Sequence, residues 1–187
     1  MGRSEQAPHK RRGRRAYLED FQKDPDGKYV YTGEHYAYAD AGGRSRRRLL
    51  TGLWISFGLA AAAILTQGFL PAEGMRGCVY VLLPYVGALA SGISLLWALA
   101  RLSFHKEPLR AYVYTATAAA LPRRGILTAG FAGATLLGDC VFLAIRGMPR
   151  PAVSLSFLGL GLLAVLSTLA GLRWRRGAAW TRTEPEH

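Results

Sequence analysis

The residue best placed for chemistry in this sequence is Asp139, the one carboxylate in the otherwise apolar run from Gly133 to Ile145, GATLLGDCVFLAI, which ends at Arg146. An ionised acid near the centre of a membrane span costs ~2.5 to 3.5 kcal/mol on insertion scales, so an acid there needs a proton, a cation or water. Two routes are open to it. Protonation turns the carboxyl into a hydrogen-bond donor, and Arg146, two turns further out, is long enough to reach inward and pair with it. Satisfied by Arg146 or Tyr85, Asp139 is a packing residue. Releasing its proton, it is a carrier.

A helix turns about 100° per residue, which puts Thr128, Thr135, Asp139 and Arg146 on one stripe, because separations of 7, 4 and 7 residues nearly close whole turns. Beside this stripe run Gly130, Ala134 and Gly138, a ridge of small residues that predicts close approach of another helix. Asp139 is therefore expected to face between helices. Tyr85 falls at nearly the same depth in another apolar run and follows Pro84, which removes a backbone donor and loosens a local carbonyl. Gln67 and Ser156 lie in the same half of two further runs. The predicted ligand or proton site thus comprises Asp139, Tyr85, Gln67, Ser156 and Arg146.

Other chemistry finds little support in the sequence. His9, His35, His105 and His187 are scattered, without metal-ligand spacing. Cys78 and Cys140 both fall in apolar runs and read as small fillers, not as a disulfide. P-loop, dinucleotide, GxSxG and HExxH patterns are absent. No cofactor, no metal and no catalytic residue is expected, and the chain reads as a protein that is not an enzyme.

The elements that must position Asp139 emerge from the spacing of charges. Between charged residues lie runs of 24 residues (49–72), 24 (77–100), 21 including Asp139 (125–145) and 22 (151–172). Each exceeds the roughly 20 residues that cross a bilayer core of ~30 Å. Four such runs leave too little polar surface to cover them in water. The predicted fold is an all-α integral membrane protein, its four transmembrane helices arranged as two hairpins closed by external turns at 73–76 and 146–150.

Lys and Arg set the orientation. Of these residues 21 precede the first run, lie in the loop 101–124 or follow the last run, whereas 3 lie in the two turns. The positive-inside rule then puts both termini, the loop and the tail 173–187 in the cytoplasm, on the inner face of the cell membrane. The net charge of +12 reads as a topology and lipid signal, and the basic run KRRGRR as attraction to anionic headgroups; no nucleic acid is expected. The start MGRSEQ lacks the Ser or Thr that supports myristoylation, and the hydrophilic first 48 residues argue against a signal peptide.

Residues 1–16 are polar, basic and expected to be disordered. In 17–48, turn chemistry at Asp24 to Gly27 and alternating tyrosines at 29, 31, 36 and 38 predict a small tyrosine-faced β hairpin on the cytoplasmic side. A hairpin alone is marginal, so it needs a partner surface. The loop offers one: Tyr112-Val113-Tyr114-Thr115 repeats Tyr29-Val30-Tyr31-Thr32 and is expected to pack against the hairpin, an added strand being one form of that packing. With Gly74-Met75 echoed by Gly147-Met148, the repeats read either as a decayed parallel duplication or as coincidence among common residues. The function expected is that of a structural or accessory membrane component, partnered by anionic lipid and by a second copy or another membrane protein. The alternative is a proton- or cation-coupled transporter or channel-like oligomer that uses Asp139.

Overall fold

The structure is a computed structural model that describes residues 21–23, 29–31, 33–39 and 43–183. The expectations of disorder at 1–16 and of a turn at Asp24 to Gly27 lie outside the described residues. In chain order the elements are β1 (Phe21–Lys23), β2 (Tyr29–Tyr31), β3 (His35–Ala39), α1 (Arg46–Phe69), α2 (Glu73–Gly77), α3 (Val79–Phe104), β4 (Leu109–Arg110), α4 (Ala111–Ala116), α5 (Leu121–Arg146), α6 (Pro151–Arg175) and β5 (Ala179–Thr183). The chain is mostly helical, and α1, α3, α5 and α6 are long and apolar enough to cross a membrane.

Local chemistry sets where these helices begin and end. The Ser45 hydroxyl accepts from the Arg48 N–H at 3.3 Å and caps α1, which stops just before Pro71. Pro122 and Pro151 occupy first turns, where a missing N–H does no harm. Gly147, at φ 78°, ends α5 in a backbone conformation that residues with side chains avoid, and its N–H returns to the Leu143 carbonyl at 2.8 Å.

Two helix pairs interlock through glycine. An added Cβ at Gly87 would meet the Phe131 ring at 2.6 Å, and one at Gly138 would meet the Tyr80 carbonyl oxygen at 2.7 Å. As contacts climb α3 they descend α5, so the two run antiparallel. Pro84 has no N–H to offer the Tyr80 carbonyl four residues back, and Gly138 brings its Cα–H to that freed oxygen. The same logic joins α1 to α6: the Trp174 indole seats on Gly52 and the Phe57 ring on Gly171. Outward-facing residues are apolar, with Ile55 65% and Leu137 68% exposed, as expected of surfaces covered by hydrocarbon.

The expected ridge on α5 packs only at one end. Gly138 makes the contact just described, whereas Ala134 and Gly130 are exposed and Gly130 has open space beside it. The buried face is instead Gly125, Thr128, Ala132, Thr135, Asp139 and Phe142, because α6 packs on that side as well as α3.

The β elements differ from the predicted hairpin. Strand β2 pairs antiparallel with β1, and β3 is the centre of a separate three-stranded sheet between β4 and β5. The tail strand β5 matches β3 over five residue pairs, from His35 opposite Thr183 to Ala39 opposite Ala179, which gives β3 a longer partner than β2 offers. Loop residues 112–115 are helical, not extended, so Tyr-Val-Tyr is a strand at its first occurrence and a helix turn at its second; Ala111 and Ala116 favour the helix. The duplication has no structural counterpart at this element. Contact between the two tyrosine segments does form, through side chains: Tyr36 stacks on Tyr114 with ring centroids 4.2 Å apart, and Trp180 packs against Tyr38 and Tyr114.

Glu34 ties this sheet together. It accepts from the Tyr36 hydroxyl at 3.0 Å, pairs with Arg182 at 2.9 Å and takes the Ala111 N–H on its backbone carbonyl. The hydrogen bond to Glu34, aided by desolvation, pushes the Tyr36 phenol above its ordinary value of 10.0. A raised phenol stabilises the fold fully below the unfolded value and loses that contribution as pH rises through the folded one. In an alkaline phenolate titration, Tyr36 is expected to ionise above the ordinary phenol value, and Glu34→Gln to bring it back toward that value. An unchanged titration in Glu34→Gln would remove the bond from the fold.

Candidate functional site

Asp139 sits on the buried face of α5, two turns before the helix ends at Arg146, and is 2% exposed. What covers it is α2. The chain leaves α1 at Leu70 and Pro71 and returns over the end of the bundle as five helical residues, with Gly74 directly above the carboxyl. An added Cβ at Gly74 would lie 2.7 Å from Asp139 Oδ1 and 3.4 Å from the Phe142 ring. Around them the packing is apolar, from Ala72, Val81, Phe142, Leu143 and Phe157.

Within this setting the Asp139 carboxyl is alone. Its Oδ2 is buried without a hydrogen-bond partner, and the ion pairs among the described residues are Arg46 with Glu107 and Arg182 with Glu34. Arg146 is exposed and lines a surface cavity of about 490 Å³ with Glu73, Arg76, Gly77, Cys78 and Phe142. Residues of α2 and Phe142 line that cavity, and Asp139 does not. The arginine that the stripe predicted as a partner is therefore exposed at the end of α5 and makes no ion pair with Asp139.

The remaining predicted site residues are engaged elsewhere or turned outward. The Tyr85 hydroxyl donates to the Ile64 carbonyl at 3.2 Å and rests against Gly68, where only hydrogen leaves it room. Gln67 is buried and donates through Nε2 to the Phe157 carbonyl at 2.9 Å, beside Gly161. Ser156 is exposed on α6. Tyr85 and Gln67 thus tie α1 to α3 and α6, and the structure shows no hydrogen bond from either to Asp139. The stripe below the acid is polar but self-satisfied: Thr128 and Thr135 each donate to the carbonyl four residues back at 2.9 Å.

Gly74 is the residue of this site that sequence reasoning missed. Its signal was faint, a glycine in a short turn, since only the fold reveals that a carboxyl fills the space a side chain would take. Among the described residues, no group of three or more His, Cys, Asp or Glu is placed to hold a metal ion.

No family model matches the chain, and no similar protein was found among curated proteins or solved structures. The chemistry of the site itself therefore carries the functional reading. A carboxyl buried without a cation is accommodated at the lowest cost as the neutral acid.

Gly74→Ala is expected to lower thermal stability in detergent by about 1 to 3 kcal/mol through overpacking on the carboxyl. Asp139→Ala in the same chain should recover most of that loss, because it vacates the space. Equal effects of Gly74→Ala with and without Asp139 would disprove the contact. Arg146→Gln should leave stability unchanged.

Proposed function

We propose that the chain is a multi-pass protein of the cell membrane, its long helices forming two hairpins with the sheet end in the cytoplasm. In this reading it is a non-catalytic accessory component whose basic inner face meets anionic headgroups and a protein partner, a second copy included. The observation that carries it is the asymmetry of the two ends. At the sheet end Arg47, Arg48, Arg110, Arg123, Arg173 and Arg176 are exposed; at the other end stand Arg76, Arg146 and Arg150, with Glu73 among them. Such asymmetry is what the positive-inside rule selects and what an anionic leaflet attracts. The braced sheet gives this face a fixed shape, which suits recognition of another protein.

A second reading is favoured by Asp139 alone: a proton-coupled carrier in which this carboxyl binds and releases the proton. A purely structural acid would be expected to have a partner, and Oδ2 has none. Cation coupling has weaker support, since no group of three or more His, Cys, Asp or Glu is placed to hold a metal ion among the described residues.

Reporter fusions after residues 74 and 148 are expected to report the outside, and fusions at 110 and 187 the cytoplasm. A cytoplasmic signal at either turn would overturn the topology. In liposomes, the carrier reading expects proton flux from the wild type and its loss in Asp139→Asn, which keeps the shape of the neutral acid but has no proton to release. Equal flux in both, or none in either with folding intact, leaves the accessory component standing.

A further inference from the structure

We propose that a groove between α1 and α6 at the sheet end is a binding site for one anionic glycerophospholipid, its phosphodiester held by Arg47 and Arg48. This inference rests on the reading that the sheet end meets an anionic leaflet, and adds to it a site of defined position and stoichiometry.

The arginines at this end sort into two kinds. Arg46 donates to the Leu102 and His105 carbonyls at 2.8 and 2.7 Å and pairs with Glu107. Arg124 donates to the Ser94 carbonyl at 2.6 Å, and Arg175 to the Ala118 carbonyl. These three are braces between segments. Arg47 and Arg48 are exposed, and neither guanidinium has a hydrogen-bond or acidic partner among the described residues. Both line a groove of about 500 Å³, together with Thr51, Gly52, Ile55 and Trp174. Two unpaired guanidinium groups in one groove call for an anion, and phosphate takes the fork of each.

The walls say which source of phosphate fits. Trp174 is held from two sides: its indole seats on Gly52, and the Arg44 guanidinium lies over its ring at 5.0 Å while donating to its carbonyl. An aromatic wall of this kind belongs at the level of headgroup and glycerol. Arg48, Gly52, Ile55 and Leu59 recur at intervals of 4, 3 and 4 residues, so one stripe of α1 leads from the groove to exposed apolar side chains. A soluble phosphate has no use for that track, whereas an acyl chain does. The Ser45 hydroxyl already accepts from the Arg48 N–H, so the site depends on the guanidinium groups and not on the helix terminus. A zwitterionic headgroup would bring its own cation against Arg47 and Arg48, which sets the preference for an anionic lipid.

The test uses the full chain purified in detergent, with lipid retention read by native mass spectrometry during titration with phosphatidylglycerol or phosphatidylcholine. The wild type is expected to retain one phosphatidylglycerol and to prefer it to phosphatidylcholine. At about fivefold per basic residue near an anionic surface, Arg47→Gln with Arg48→Gln should weaken retention about 25-fold. The control pair Arg123→Gln with Arg176→Gln removes the same charge from the same end and should retain lipid as the wild type does. Both pairs project outward without partners, so circular dichroism should show an unchanged fold. Equal loss in the two pairs overturns the groove and leaves a diffuse attraction to the leaflet in place. No preference for phosphatidylglycerol in any form removes the groove and the leaflet reading together. Displacement of the lipid by inorganic phosphate would overturn lipid as the ligand.

Discussion

Hydrocarbon gives one apolar helix no hydrophobic reason to seek another, so a bundle of such helices holds together where shapes interlock. Here the interlock is a bulky group seated on glycine. Trp174 rests on Gly52, Phe57 on Gly171, Phe131 on Gly87, Leu172 on Gly125, and the Tyr80 carbonyl on Gly138. Each contact uses space that any larger residue would fill, and together they fix the rotation and register of all four long helices. Everything chemical in the molecule follows from that register. It turns Thr128, Thr135 and Asp139 inward together and delivers Arg124 to the Ser94 carbonyl.

Polar groups inside the bundle obey a second constraint, because no water is at hand to satisfy them. Most are satisfied within their own helix: Ser91, Thr128, Thr135 and Thr168 each donate to the carbonyl four residues back. Gln67 and Tyr85 reach across instead and convert a polar necessity into two links between helices, to the Phe157 and Ile64 carbonyls. Against this background Asp139 stands out. Its neighbours on the stripe complete their own hydrogen bonds, and its Oδ2 does not.

What the sequence disclosed and what it hid divide along the range of the forces involved. Charge spacing marks off apolar runs, and four long helices occupy them, because insertion energy depends on a run of residues and not on their partners. The inward face of Asp139 was legible for a similar reason: a helix periodicity needs no knowledge of its neighbour. Pairing was not legible. Alternating tyrosines marked β3 as extended but could not say that its partner would be the distant tail, where Ala179 to Thr183 supplies a longer match than Tyr29 to Tyr31. The tetrapeptide shared by residues 29–32 and 112–115 likewise took its conformation from context, a strand in one place and a helix turn in the other. In the site, Arg146 shared the stripe with Asp139, yet stripe membership cannot tell that the helix ends there and leaves the guanidinium exposed. Gly74 was illegible altogether, since its role is a space defined by another segment.

The two ends of the bundle are closed by different means, and the difference bears on Asp139. At the sheet end, segments distant in sequence are tied by main-chain ladders and by arginines: β3 to β5, Arg46 to the end of α3, Arg175 to Ala118, Arg182 to Glu34. Opening that end would break many hydrogen bonds at once. The other end is closed over the carboxyl by a helix of five residues, whose Gly74 meets Asp139 and Phe142 by contact, with no hydrogen bond from α2 to the acid. Local opening takes the path with the fewest buried contacts and hydrogen bonds to break. Asp139 therefore lies behind the end of the bundle that closes over it by packing contact, away from the end that ladders and arginines tie shut.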